Sequence, residues 1–157
     1  SQGSDLKART AMSLGSLYGG LGLGPVNTAA THALAYPLGG EFKVAHGVAN
    51  SVMLPYIMDF NLSSCLEKYA LIAKAMGIKE EKSADVMARQ GILRIKTISK
   101  NCGIPASLRD LSIPETAIDE MAEAAMKVTR LLENNPRPLS REDAVQIFQR
   151  AHSGNLD

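Results

Sequence analysis

Apolar residues recur along most of this chain at the three- and four-residue intervals of a helix, and nowhere do apolar and polar positions alternate for more than a few residues. The pattern predicts a first helix from Leu6 to about Leu21, rich in Ala, Met and Leu, ended or bent by Gly19-Gly20, Gly22 and Gly24-Pro25. A short helix follows from about Val26 to Leu38, and its small Ala and Thr side chains, which let neighbouring backbones approach closely, predict a central, buried element. The next helix runs from Gly47 to about Phe60, with a kink at Pro55 and a stop at Asn61. Ser64 and Glu67 form a capping-box pattern before a stripe of Leu66, Tyr69, Ala70, Ala73 and Met76 that Gly77 closes. Ser83 opens a helix striped by Met87, Ala88, Gly91, Ile92, Ile95, Ile98 and Cys102 and ended by Gly103. Ser112 and Glu115 suggest another capping box, ahead of Ile118, Met121, Ala122, Ala125, Met126 and Thr129. After the loop-forming run Asn134 to Pro138, Ser140 caps a last helix carrying Ala144, Ile147, Phe148 and Ala151. The expected architecture is all-α: one compact bundle of about seven helices spanning residues 1–157.

Composition narrows the function. Seventeen basic against sixteen acidic residues give a formal net charge of +1 without runs of like charge. That leaves no electrostatic footprint for nucleic acid or an anionic membrane. No apolar stretch reaches the length of about 18 residues that a membrane span needs, and no signal peptide precedes the first helix, so a cytoplasmic location is expected. Cys65 and Cys102 are too few and too scattered for a disulfide framework or a zinc knuckle, and read as reduced structural thiols. Ser1-Gln2-Gly3-Ser4, without an initiator methionine, reads as a cut site or a stretch from inside a longer protein.

The densest chemistry lies in Thr31-His32-Ala33-Leu34-Ala35-Tyr36-Pro37-Leu38-Gly39-Gly40 and in His46-Gly47-Val48-Ala49-Asn50. A catalytic metal centre needs neutral imidazoles or carboxylates converging on one point with a position left open. His32 and His46 stand fourteen residues apart, which is no local chelate. On spacing alone the evidence for a shared metal pocket is weak, and the plainer reading is one buried, hydrogen-bonded histidine and one histidine at a helix start. His152, on the last helix, reads as a surface residue. The glycines between 19 and 24 lack the preceding strand that a dinucleotide cradle requires.

The strings H-A-L-A-x-P-L-G and H-G-V-A-N, followed by L-P and F-N, resemble the signature of the iron-containing (group III) alcohol dehydrogenases. The likeness continues from Ala8-Arg9-x-x-Met12 through Gly103-Ile104-Pro105-x-x-Leu108-Arg109-Asp110 to Asn135-Pro136-Arg137. It implies a dehydroquinate synthase-like enzyme with an N-terminal nucleotide-binding domain and a C-terminal helical domain. Residues 1–157 then correspond to most of the second, lacking the nucleotide-binding domain and the first part of the helical one. The resemblance further implies that His32 and His46 bind Fe(II), or Zn(II) in some members, together with an Asp and a His of a D-x-x-x-H segment outside this chain. The metal would act as a Lewis acid on an alcohol while hydride passes to a nicotinamide of NAD(P), held mainly by the other domain.

Many members carry a second histidine four residues after the first ligand; here Tyr36 stands there. A phenol, with an ordinary pKa of about 10, is a poorer proton shuttle than imidazole, so Tyr36 reads as pocket wall or as a catalytic hydrogen-bond donor. The resemblance places Leu23 at a position that faces substrate in family members, so it reads as setting pocket size or, equally, as a core residue. Small alcohols and aldehydes are the implied substrates, and a homo-oligomer is expected. The isolated chain, with two of four ligands, is expected to be inactive. Alternatives are a freestanding, non-catalytic helical binding module, or part of a metal-free relative such as a maleylacetate reductase, against which the retention of both histidines argues.

Overall fold

The computed structural model describes residues 3–79 and 83–156; Ser1 and Gln2, and the reading placed on them, lie outside. Among the described residues there are seven α-helices and no strand. They are α1 (Leu6–Val26), α2 (Ala30–Gly40), α3 (His46–Ala75), α4 (Ala84–Asn101), α5 (Ile118–Met126), α6 (Thr129–Leu132) and α7 (Arg141–Ser153). Single 3-10 turns at Arg109–Leu111 and Glu115–Ala117 lead into α5.

The centre is α2, packed against α3, α5 and α6. Ala30, Ala33, Leu34 and Leu38 of this helix have no exposed surface. They meet Ala49, Val52, Met53, Tyr56 and Ile57 of α3, Met121 and Ala125 of α5, and Phe148 and Ala151 of α7 in one cluster. Each fully buried Leu or Ile contributes about 1.5–3 kcal/mol relative to exposure. The C-terminal half of α3 pairs instead with α4, burying Met58, Leu62, Ala88 and Ile92 as a second cluster. A Cβ added at Gly91 on α4 would stand 2.8 Å from the Ala73 Cβ of α3, so the two backbones close to a distance that only glycine permits.

The helix stops carried by local chemistry form as expected. Gly77 and Gly103 take the left-handed conformation, and Ile78 and Ile104 donate back to Ala73 and Ser99 across them. Ser140 and Asp143 form a complete capping box. The loop after α6 is welded to α3 by a reciprocal amide pair: Asn61 donates to Asn135 at 3.0 Å and Asn135 to Asn61 at 2.8 Å. Arg137 lies over the Phe60 ring and donates to the Phe60 carbonyl at 2.9 Å.

Several expectations are corrected. α1 does not break at its glycines but continues to Val26, and the chain turns at Asn27, φ 66°. Each glycine costs only about 1 kcal/mol relative to alanine, and Pro25 sits in the last turn, where a single donor is lost. α1 also stands apart from the bundle: none of its residues is buried, and Leu6, Met12, Tyr18, Leu21 and Val26 are 63–77% exposed. α3 runs on from His46 to Ala75, with its one non-helical residue at Cys65 (φ −129°) rather than at Pro55. The break falls within the stretch that packs on the second cluster, between Leu62 and Leu66. The expected stop, Asn61, is consumed by its amide pair. Ser112 is left-handed, not a cap, and Pro114 precedes the turn that feeds α5. His152 is 7% exposed and its Nε2 lies 3.1 Å from the Ile113 carbonyl, so it ties α7 to the segment before α5 rather than facing solvent.

The close approach at Gly91 makes a test. Gly91→Ala gains about 1 kcal/mol in helix propensity but overpacks the α3–α4 contact at about 1–3 kcal/mol. A net loss of stability is expected, read as a lower urea midpoint with unchanged slope; a raised midpoint would show that the helices do not meet so closely.

Candidate metal centre

His32 belongs to the first turn of α2, and His46 is the first residue of α3. The five-residue connection between them is held by Val44 N–H donating to the Leu38 carbonyl at 3.1 Å, with Lys43 at φ 59°. Buried Ala30 and Ala33 on one helix and Ala49 and Val52 on the other lock the two helices together. The imidazoles meet with ring centroids 5.2 Å apart and planes inclined at 50°. Two imidazoles bound through nitrogen to one tetrahedral ion at about 2.0–2.1 Å hold their centroids about 5 Å apart, so the spacing suits a shared divalent cation.

His32 titrates below the usual imidazole range, first because it is partly buried and second because His46 stands beside it. Its neutral form, the one that offers a lone pair to a metal, is therefore favoured near pH 7. Next to it lies a cavity of about 360 Å3 walled by Thr28, Thr31, His32, Asn50, Ser51 and Leu54 among others. The Ser51 hydroxyl is occupied, donating to the Gly47 carbonyl at 2.7 Å.

Neither of the other two sequence candidates joins this cavity. Tyr36 stands one turn beyond His32 and is 44% exposed; Leu23 is in the last turns of α1 and is 51% exposed. No group of three or more His, Cys, Asp or Glu side chains converges among the described residues, which bring together two imidazoles and no carboxylate. Asn50 had no role from sequence, yet its amide lies against the His46 ring, 3.2 Å from Nε2. Its i, i+4 spacing from His46 was the available signal.

The electrostatics yield a titration test. In metal-free protein the NMR midpoint of His32 is expected below 6.5, the ordinary imidazole value, and His46→Ala should raise it part of the way back, since burial remains. An unfolded His32 takes its proton first, so it binds more protons than the folded one just below pH 6.5, and stability from this group falls as pH drops through that window. A His32 midpoint at or above the ordinary value would overturn the assignment of neighbours.

Residues 1–152 match the model of the Fe-containing alcohol dehydrogenase family, C-terminal. The chain is 37% identical over 155 residues to long-chain-alcohol dehydrogenase 1 of Geobacillus thermodenitrificans, covering 98% of this chain and 39% of that protein. It is 38% identical to 1,3-propanediol dehydrogenase of Citrobacter freundii, over 95% and 38% of the two chains. Among solved structures, it superposes on a 1,3-propanediol oxidoreductase with a TM-score of 0.90 at 39% identity, covering 95% of this chain and 39% of that one. An alcohol dehydrogenase from Oenococcus oeni gives 0.92 at 35% identity, over 97% and 40%. The chain thus spans about two-fifths of the length of the relatives it matches. With matching sequence and matching backbone over nearly all its residues, it belongs to the iron-containing alcohol dehydrogenase family, of which it represents the C-terminal, all-helical part.

Proposed function

We propose that this chain contributes two histidine ligands, His32 and His46, to the catalytic divalent metal of an alcohol dehydrogenase that interconverts alcohols with aldehydes or ketones. The observation that carries this reading is the convergence of the two imidazoles at 5.2 Å from separate helices. The donor set fits in part: two neutral nitrogen ligands suit Fe(II) or Zn(II), and the remaining ligands come from outside residues 1–157. When bound, the ion supplies Lewis-acid polarisation of the substrate oxygen, and the nicotinamide of NAD(P) exchanges the hydride.

This chain's own residues then act as scaffold and wall. His32 and His46 present lone pairs. Thr28, Thr31 and Leu54 bound the adjoining cavity, with Leu54 as an apolar surface. Tyr36, exposed one turn from His32 and outside that cavity, serves as a wall or a hydrogen-bond donor towards substrate, and Leu23, also outside it, limits the size of the substrate. NAD(P) binds mainly on a preceding nucleotide-binding domain. The uncovered apolar residues of α1 favour this reading, because a helix without a charged side chain from Thr10 to Val26 is suited to contact with further protein. The complete protein is a homo-oligomer, and the 157-residue chain alone is inactive because two imidazoles leave the ion largely to solvent.

In the complete gene product, His32→Ala and His46→Ala are each expected to lower bound metal, measured by plasma mass spectrometry, and to cut kcat/KM by more than about a hundredfold, beyond the 10–100-fold typical of residues that only support a ligand. Treatment with a chelator should abolish turnover of ethanol or 1,3-propanediol, and Fe(II) or Zn(II) should restore it. Full metal content in both variants would refute the assignment.

A further inference from the structure

Asn50 follows His46 by one turn of α3, so the two side chains share a helical face. Its Nδ2 donates to the His46 backbone carbonyl at 2.9 Å. The same nitrogen lies 3.2 Å from Nε2 and 3.4 Å from Nδ1 of the His46 ring. An atom almost equidistant from both ring nitrogens at that range cannot lie in the ring plane. On one side it would overlap Cε1, and on the other Cγ and Cδ2. The amide nitrogen therefore sits over the face of the imidazole and leaves both in-plane nitrogen edges open.

The other end of the amide is equally informative. Oδ1 is buried and has no hydrogen-bond partner among the described residues, an unfavourable arrangement for an amide oxygen. Exchanging the amide oxygen and nitrogen would bring Oδ1 to the 2.9 Å position beside the His46 carbonyl, acceptor against acceptor. The carbonyl thus selects the orientation with nitrogen over the ring. Asn50 also walls the cavity that His32 lines.

We infer that Asn50 is a positioning residue for His46: its amide, anchored on the His46 carbonyl, presses on the ring face and fixes the orientation of the ring beside His32. This rests on the reading of His32 and His46 as the metal-holding pair. Histidine rotates broadly about its second side-chain torsion, and His46 is exposed at the first position of a helix, so little else restrains it. A ligand whose ring is already oriented loses less freedom when a metal arrives, and residues that orient ligands typically change affinity 10–100-fold.

The test uses the complete gene product, stripped of metal, with Asn50→Leu, which keeps the volume without the amide, and Asn50→Ala as a second variant should the first fail to fold. Zn2+ and Fe2+ affinities are measured by chelator competition. The ring order of His46 is measured separately, by 13C relaxation at Cε1 without metal. A 10–100-fold weaker affinity, lower ring order and unchanged helicity are expected. Wild-type affinity in a folded variant overturns the inference. If the unmutated protein takes up neither ion, the metal-pair reading fails instead, and ring order alone decides: unchanged order in the variant overturns the role of Asn50, and lower order sustains it.

Discussion

The burial of α2 is the constraint on which the rest depends. Between Arg9 and Glu41 the chain has no charged side chain, and within α2 the buried positions are mostly alanine, with Leu34 and Leu38 as the large groups. Small side chains let α3, α5 and α6 pack around one short helix, and dispersion gains at that density come from many close contacts, each small. A polar or bulky residue at Ala30 or Ala33 would force the α2–α3 contact apart. His32 rides on the first turn of this helix, so the position of one imidazole is set by hydrophobic packing rather than by any bond it makes.

α1 shows that the same composition leads elsewhere when nothing packs on it. From Thr10 onward it shares the small, uncharged character of α2, yet its large apolar side chains face outward. The superposition with the 1,3-propanediol oxidoreductase covers 95% of the chain, which takes in most of α1. Its departure from the bundle is therefore shared with a relative whose chain is much longer, and composition alone did not distinguish a central helix from a projecting one.

That contrast marks how far the sequence could be read. The all-helical bundle, the stops at Gly77 and Gly103 and the cap at Ser140 were legible because each depends on residues a few positions apart, whereas the two helices expected on either side of Asn61 are one, α3. The break at Cys65, the amide pair of Asn61 with Asn135 and the burial of His152 were not, because each is decided by a partner distant in the chain. The Asn61 pair spans 74 residues, and the His152 contact spans 39. His152 follows the buried Ala151 by one position, and nothing near it in the sequence points to the Ile113 carbonyl that it meets. The histidine pair was legible only through the resemblance, since thirteen intervening residues containing a proline and two glycines do not fix where two rings point. Asn50 stood inside the quoted motif unread because a face-on amide leaves no pattern beyond an i, i+4 spacing.

What this segment offers a cation is geometry without charge. Two imidazoles bring no negative charge to offset a divalent ion, and no carboxylate joins them among the described residues. In water such a pair competes poorly with hydration, because the ion keeps its remaining positions solvated and the electrostatic gain is small. A low-dielectric enclosure and an anionic ligand change that balance together, the first by removing water and the second by neutralising charge. Shape and charge are thus separable contributions in this site. Residues 1–157 hold the first in the packing of α2 on α3, and a family member's ability to bind its metal tightly depends on where the second is supplied.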